Sequence, residues 1–421
     1  MDKLIIEGGK PLKGEVKISG SKNAALPIMA ATLLTDEPCV IRNVPRLRDT
    51  MTMGKLLISL GKDVDFNNNT AVIKPKGKLG HVAEYEIVAT MRGSFCVLGP
   101  LLSKLRKAKV SLPGGCVIGI RPVDLHLKGL SALGAKIDIA NGFVNARVRQ
   151  LKGNNIYLGG VSGSSVLATA NVMMAATLAK GVTIIESAAC EPEIADLAKF
   201  LVAMGAKIKG IGSPHLKITG VAKLKGTNYR IIPDRIESGT YMIMAAATRS
   251  TITLRQGSFN HLIALVDKLS EVGTKVYQEK GLIKIQPKKI IKPVSMTTHP
   301  YPGFPTDLQA QFMALMTLAN GVSLIIDKVY PDRFIHISEL NRMGAHIRRE
   351  GLSAIVEGVR NLYGAPVMAS DLRASAALII AGLAAKGRTE IHRIYHLERG
   401  YENLDEKLCA LGASVWREKT S

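Results

Sequence analysis

The segment LPGGCVIGIRPVDLH, residues 112–126, sets Cys116 on a glycine-rich turn with Arg121 five positions later. Pro113, Gly114 and Gly115 make the turn, and Lys107, Lys109 and Arg121 bring positive charge to it. A thiol in a basic, partly exposed loop has its pKa pulled down from a reference of about 8.5, whereas a cysteine packed in a core is inert. Cys116 is therefore a candidate reactive thiol, weighed against the plain reading of a small packing residue. More residues able to do chemistry are spread along the chain. They are Lys22 and Asn23 in SGSKNAA, Arg92 in TMRGS, Ser164 and Ser165 in SGSSVLAT, Asp234 and Arg235 in PDRIESG, Asp307 in FPTDLQAQ, and Asp371 with Arg373 in SDLRAS. Each stands where an apolar helical pattern begins. Helix N-termini expose free N–H groups and partial positive charge, so they favour anions. Singly, a Ser or Asp there is an N-cap, and a Lys or Arg is a solvated charge or salt-bridge partner. Recurrence at six helix starts favours one shared anionic ligand over six unrelated caps. His396 and Arg399, in HRIYHLERGYENLDEKL, precede a last helix, where a polar surface loop is the alternative.

The elements that carry these residues repeat. An apolar-Gly signature followed by a strand start recurs as LGKDV, LGAKI, MGAKI, VGTKV, MGAHI and LGASV, with 73, 71, 68, 71 and 68 residues between successive glycines. Gly after a helical pattern is the expected left-handed C′ residue. Between these lie Ala-rich apolar helices, each followed by a strand, such as SVLATANVMMAATLAKGVTIIE. Six units of about 70 residues account for the chain. Units this small rarely bury a core alone, so they are expected to associate as two domains of three. The Ala-rich helices lack a wide polar face, which places them inside with sheets around them. The expected fold class is α/β, with two similar domains and buried helices. The opening MDKLIIEGG strand has no complete unit of its own, which suggests that the chain passes between the domains twice.

Composition bounds the function. The chain has 421 residues, 47% of them hydrophobic, enough for large cores. A formal charge of +22 suggests an acidic partner, whether nucleic acid, anionic lipid or a phosphorylated small molecule. The N-terminus lacks the apolar run of a secretory signal, so export is not expected. The longest uncharged stretch, residues 161–179, holds Ser, Thr, Asn and Gly, which favours a buried helix over a membrane span. Five widely spaced cysteines without a CxxC pair read as reduced thiols, with neither a disulfide framework nor zinc. Besides Cys116, the other four (Cys39, Cys96, Cys190 and Cys409) fall in helix or strand patterns and are expected in the core.

Together, SGSKNAA, TMRGS, LPGGCVIGIRPVDLH, FPTDLQAQF, DRFIHISEL, SDLRASAALI and YHLERGYENLDEKL resemble the bacterial UDP-N-acetylglucosamine 1-carboxyvinyltransferases, in order from about residue 3 to 418. The resemblance implies two domains, each of three βαβαββ repeats, an inside-out α/β barrel architecture. It places residues 1–21 with 232–421 in one domain and 22–231, carrying Cys116, in the other. It implies transfer of enolpyruvate from phosphoenolpyruvate to the 3-hydroxyl of UDP-N-acetylglucosamine, with release of phosphate. That reaction is the first committed step of peptidoglycan synthesis, and so serves cell shape and division. By the same resemblance, Lys22, Arg121, Arg373 and Arg399 contact phosphoenolpyruvate, and Asn23 contacts both the sugar nucleotide and the reaction intermediate. Arg92 lies on the UDP side or orders a loop, Arg121 also contacts the sugar nucleotide, Pro122, Val123, Asp124 and Leu125 form the uridine segment, and Ser164 and Ser165 lie near the diphosphate. Val329 offers a backbone contact to the sugar. Cys116 is the implied general acid and the target of fosfomycin, Asp307 the implied base, and Asp371 a second carboxylate near the intermediate. Planar guanidinium groups suit these anions because each binds two oxygens at once. The resemblance implies no cofactor and no metal, a cytoplasmic bacterial enzyme, and a monomer without membrane or nucleic-acid partners.

One departure stands out: SSVLAT carries Leu167 where the family usually has glycine, after a more glycine-rich LGGVSGS. A Leu cannot match the close backbone approach of glycine, so the diphosphate contact is expected to shift to Ser164, Ser165 or the added glycines. The nearest alternative is 5-enolpyruvylshikimate-3-phosphate synthase, against which the LPGGC and RPVDLH segments argue. A more distant one is a nucleic-acid-binding or RNA-processing protein, which would need basic tracts interleaved with aromatics. Aromatics make up only 5% of the chain.

Overall fold

The computed structural model describes residues 2–114, 123–161 and 163–419. They divide into two compact units, one of residues 2–19 and 233–419, the other of 20–114 and 123–232. The chain crosses between units at 19/20 and 232/233, where the sequence reading put the boundaries at 21/22 and 231/232.

The unit of residues 20–232 holds three four-stranded sheets built to one plan. In each, a parallel edge strand is followed by three antiparallel ones. Asn228–Arg230 lies parallel to Cys39–Arg42, which pairs with Thr70–Pro75 and through it with Lys62–Asn67. Val82–Ala83 opens the sheet of Lys107–Ser111, Phe143–Arg147 and Lys136–Ala140. Asn155–Tyr157 opens that of Val182–Glu186, His215–Thr219 and Lys207–Lys209. The parallel strand of the second and third sheets opens its own repeat, while the first sheet receives Asn228–Arg230 from the end of the unit, which closes the set.

The other unit repeats the plan, with the N-terminus supplying the missing pieces. Gly14–Lys17 lies parallel to Ile252–Arg255, and Met296–Thr298 parallel to Val322–Asp327. In the third sheet Asp2–Glu7 sits between Arg388–His392 and Ser414–Lys419, the position that the last repeat cannot fill from its own residues. This accounts for an opening strand without a unit of its own.

Three helices fill each core: Lys22–Ala31, Leu98–Leu105 and Val166–Ala176 in one unit, and Arg235–Ala247, Gln309–Met316 and Leu372–Ala384 in the other. Every residue of Arg235–Ala247 and of Gln309–Met316 is buried. Small side chains let such helices pack closely. A Cβ on Gly99 would stand 2.2 Å from the Asn171 carbonyl oxygen, so only glycine lets the helices at 98 and 166 meet there. The six signature glycines, Gly61, Gly134, Gly205, Gly273, Gly344 and Gly412, all follow outer helices, with φ between +89° and +103°. Each ends its helix in the left-handed conformation and sends the chain into a strand.

Cys39 and Cys96 are buried, Cys190 is half-buried in a loop, and Cys409 is exposed, so the expectation of four core cysteines is corrected for the last two. In the helix Leu404–Ala410, Leu404 and Leu408 take the inward face, which turns Cys409 outward. No helix among the described residues is long and apolar enough to cross a membrane.

Candidate active site

In the 20–232 unit, Ser21 caps the helix at Lys22, its side-chain oxygen accepting from the Ala24 N–H at 3.3 Å. The Lys22 ammonium lies 3.3 Å from Oδ2 of Asp49, a buried carboxylate in the first turn of Arg48–Ser59. Asn23 follows, partly exposed. Arg92 opens the short turn Arg92–Val97 that leads into the second buried helix. A Cβ on Gly93 would be 2.7 Å from Leu26 Cδ1, so this turn begins against the Lys22 helix.

Val123 precedes the helix Asp124–Ala132, which Asp124 and Leu125 open. His126, buried behind them, fastens this helix to the others. Asn171 accepts from the Gly99 N–H at 2.8 Å, which turns its amide nitrogen toward the Phe95 carbonyl at 2.9 Å and His126 Nδ1 at 2.9 Å. The His126 ring meets Phe95 edge-on at 5.1 Å. Burial, with a smaller push from the Arg92 charge, lowers its pKa to about 3, so the ring is neutral and Nδ1 accepts. Ser165 caps the helix at Val166, its Oγ accepting from Ala168 N–H at 3.3 Å. Ser164 instead belongs to a small hairpin in which Gly159 and Gly160 pair with Ser164 and Gly163. At Gly160 a Cβ would be 3.0 Å from Leu125 Cδ1, so the glycine-rich hairpin lies directly on the uridine segment expected from the sequence. Leu167 packs partly buried against the core. Cys116, Arg121 and Pro122 lie outside the described residues.

In the other unit, Asp234 and Asp371 are both helix caps. Asp234 Oδ1 accepts from the Ile236 and Glu237 N–H groups at 2.8 and 3.0 Å, and Asp371 Oδ1 from those of Arg373 and Ala374 at 2.8 and 3.2 Å. Asp307 is different. It sits in the turn Thr306–Leu308 ahead of Gln309–Met316 and caps nothing. Its Oδ1 accepts from Arg333 Nη1 and its Oδ2 from Arg373 Nη2, each at 2.8 Å. The arginine side chains are 5% and 3% exposed, the carboxylate 26%. Burial alone would raise the Asp307 pKa, but Arg373 and then Arg333 outweigh it and hold the carboxyl well below its usual range. The result is a carboxylate that stays ionised, gripped by two buried cations and open to solvent on its remaining side.

Neighbours hold the arginines in turn. Arg373 Nη1 donates to the Tyr401 hydroxyl at 3.1 Å, as does Gln311 Nε2 at 3.2 Å, and Tyr401 lies 2.9 Å from Thr240 Oγ1. Among the described residues, Nε of both Arg333 and Arg373 is buried without a partner. His336, also buried, has its pKa pushed down to about 4 by burial, against the opposing charge of Asp371. Arg399 ends the turn Ile394–Arg399. A Cβ on the next residue, Gly400, would be 2.6 Å from Leu372 Cδ2, so this turn rests on the start of the Arg373 helix. Val329 lies in a turn that Asp327 secures, its N–H donating to Asp327 Oδ1 at 2.9 Å.

The fold thus gathers Lys22, Arg92, Asp124, Leu125 and Ser165 through the helices of one unit, and Asp307, Arg373, Asp371 and Arg399 through those of the other. Sequence reading missed Arg333, Tyr401, Thr306 and Asp327. Arg333 lies within DRFIHISEL, but nothing in that string separates a buried arginine from an exposed one.

The family model described as EPSP synthase (3-phosphoshikimate 1-carboxyvinyltransferase) matches residues 6–408. The UDP-N-acetylglucosamine 1-carboxyvinyltransferase of Geotalea uraniireducens is 53% identical over 417 residues, covering 99% of each chain. The UDP-N-acetylglucosamine 1-carboxyvinyltransferase 1 of Caldanaerobacter subterraneus is 51% identical over 416 residues, again 99% of each. Among solved structures, the enolpyruvyl transferase NikO of Streptomyces tendae superposes with a TM-score of 0.89 at 23% identity, covering 100% of this chain and 99% of that one. EPSP synthase of Acinetobacter baumannii gives 0.77 at 18% identity, with full coverage of both chains. At those identities the two structures speak for the fold, while the full-length relatives speak for the family. The chain belongs to the UDP-N-acetylglucosamine 1-carboxyvinyltransferases, transferase enzymes with the enolpyruvyl transferase fold.

Proposed function

We propose that the protein transfers the enolpyruvyl group of phosphoenolpyruvate to the 3-hydroxyl of UDP-N-acetylglucosamine and releases phosphate. The observation that supports this most is the Arg333–Asp307–Arg373 cluster, in a chain whose full length matches relatives of that name. Addition requires a proton on the methylene carbon of phosphoenolpyruvate and removal of one from the attacking hydroxyl. In this reading Cys116 gives the first proton and Asp307 takes the second. The C2–O bond forms, giving a tetrahedral ketal. Loss of a proton from the C3 methyl group and departure of phosphate from C2 then restore the double bond.

Asp307 suits a base that must be ionised throughout the working pH range, since Arg373 and Arg333 keep it so. A low pKa also makes it a weak base, so proton removal has to run late, once protonation of the methylene has made C2 electrophilic. Lys22, Arg121, Arg373 and Arg399 would hold the phosphate and carboxylate of phosphoenolpyruvate, where fixed cations stabilise charge as it develops. Asn23 would contact both substrates. Arg92, Pro122, Val123, Asp124, Leu125, Ser164 and Ser165 would take the nucleotide, and Val329 and Asp371 the sugar and the intermediate. No step changes an oxidation state, so the reaction calls for no redox cofactor. The proposal extends to a monomeric cytoplasmic enzyme of peptidoglycan synthesis, sensitive to fosfomycin.

Phosphate release from phosphoenolpyruvate on adding UDP-N-acetylglucosamine tests the reaction, with shikimate-3-phosphate as the control acceptor. Release with the sugar nucleotide only, abolished by fosfomycin pretreatment, is the expected result. Release that survives fosfomycin would remove Cys116 from its role, and release with shikimate-3-phosphate would overturn the acceptor.

A further inference from the structure

Asp327 ends the strand Val322–Asp327 and is fully buried, yet its carboxylate collects donors from three separate segments. Oδ1 accepts from the Thr298 hydroxyl at 2.7 Å and from the Val329 and Tyr330 N–H groups at 2.9 and 2.8 Å. Oδ2 accepts from the Thr306 hydroxyl at 2.7 Å. The two backbone bonds are ordinary Asx-turn chemistry and need no explanation beyond the turn itself. The bond to Thr306 is not local. Thr306 is the neighbour of Asp307 and also receives Arg333 Nη1 at 3.3 Å, the nitrogen that grips Asp307 at 2.8 Å. One buried carboxylate therefore sets the spacing between the Val329 turn and the Asp307 turn.

We propose that Asp327 is a positioning residue for the acceptor sugar: by holding Thr306 and the Val329 turn on its two oxygens, it fixes where the base stands relative to the sugar's backbone contact. This rests on the reading of Asp307 as base and Val329 as sugar contact. Misplacement of a reacting group by about 1 Å can cost on the order of 100-fold in rate. The cost falls mainly on the acceptor side of the reaction, because both turns that Asp327 holds are assigned to the sugar, while Asp307 reaches the phosphoenolpyruvate side only through Arg373.

Three variants of the full chain separate this from a purely structural role. Thr306→Val removes the Oδ2 bond and leaves the turn bonds in place. Asp327→Asn keeps the shape and the Oδ1 acceptor while replacing Oδ2 by a donor. Thr298→Ser keeps the hydroxyl that binds Asp327 and the Lys328 N–H and changes only volume. Thr306→Val and Asp327→Asn are expected to lower kcat/KM for UDP-N-acetylglucosamine by roughly 10- to 100-fold, with a smaller loss toward phosphoenolpyruvate. Their double variant should be no worse than the poorer single, because both disturb the same bond. Thr298→Ser should keep both KM values. Parallel losses toward both substrates, additive singles, or a Thr298→Ser phenotype matching Thr306→Val would overturn the proposal. Phosphate release by the wild type with UDP-N-acetylglucosamine decides the reaction itself, so the two failures are told apart.

Discussion

Replacing Arg333 by Met removes one of the two guanidiniums on Asp307 and keeps most of the buried apolar volume. At a charge separation of about 4 Å and an effective dielectric near 20, such a pair contributes roughly 4 kcal/mol. A quarter of the Asp307 side chain is exposed, so solvent screens part of this. Taking about half leaves ~2 kcal/mol, or about 1.5 pKa units at 1.36 kcal/mol per unit. The sign follows from linkage. A depressed carboxylate pKa contributes stability that is present above the unfolded value of about 3.9 and lost as pH falls through the folded value, here well below it. Losing Arg333 moves the folded value up and shrinks the contribution at neutral pH by the same ~2 kcal/mol. The assay is denaturant unfolding at neutral pH. Arg333→Met should lose about 2 kcal/mol, and Arg333→Lys, which keeps the charge, should lose less. A Met variant as stable as the wild type, or a Lys variant indistinguishable from Met, would refute the argument that Arg333 holds Asp307 ionised.

Other outcomes follow from the packing. Gly99→Ala would push a Cβ against the Asn171 carbonyl at 2.2 Å, so thermal unfolding should reveal a loss of about 1–3 kcal/mol or more. Asn171→Ala would orphan the Gly99 N–H and leave His126 Nδ1 without its donor, costing about 1–3 kcal/mol per group by denaturant titration. Because His126 is neutral in the fold with a pKa near 3, the unfolded chain binds its proton first as pH falls below about 6.5. Stability should therefore decline between that pH and about 3, and His126→Gln should flatten the slope; an unchanged slope would place the acid sensitivity elsewhere.

The repeat was legible because it is written in local chemistry. A glycine that must take positive φ after each outer helix, and an Ala-rich stretch with no polar face, announce themselves six times in the sequence, and the described residues form six four-stranded sheets, three with three buried helices in each unit. The polar helix starts were legible for the same reason, since a polar residue opening an apolar helix is a local anomaly. Their division of labour was not. Ser165, Asp234 and Asp371 read the same as Asp307 along the chain, and in the structure the first three cap helices while Asp307 faces two arginines.

By itself the sequence determined the class of architecture, the two-by-three repeat count, the family and the residue types suited to anionic substrates, because each is a matter of spacing and local preference. Tertiary structure alone decided that Asn228–Arg230 and Gly14–Lys17 supply the parallel edge strands of two distant repeats, and that Asp2–Glu7 completes the last sheet. It alone brought Arg333 and Arg373 to Asp307, and Asp327 to Thr306. Burial and charge pairing act through space, between residues up to 66 positions apart in the case of Asp307 and Arg373, and no local pattern carries that information.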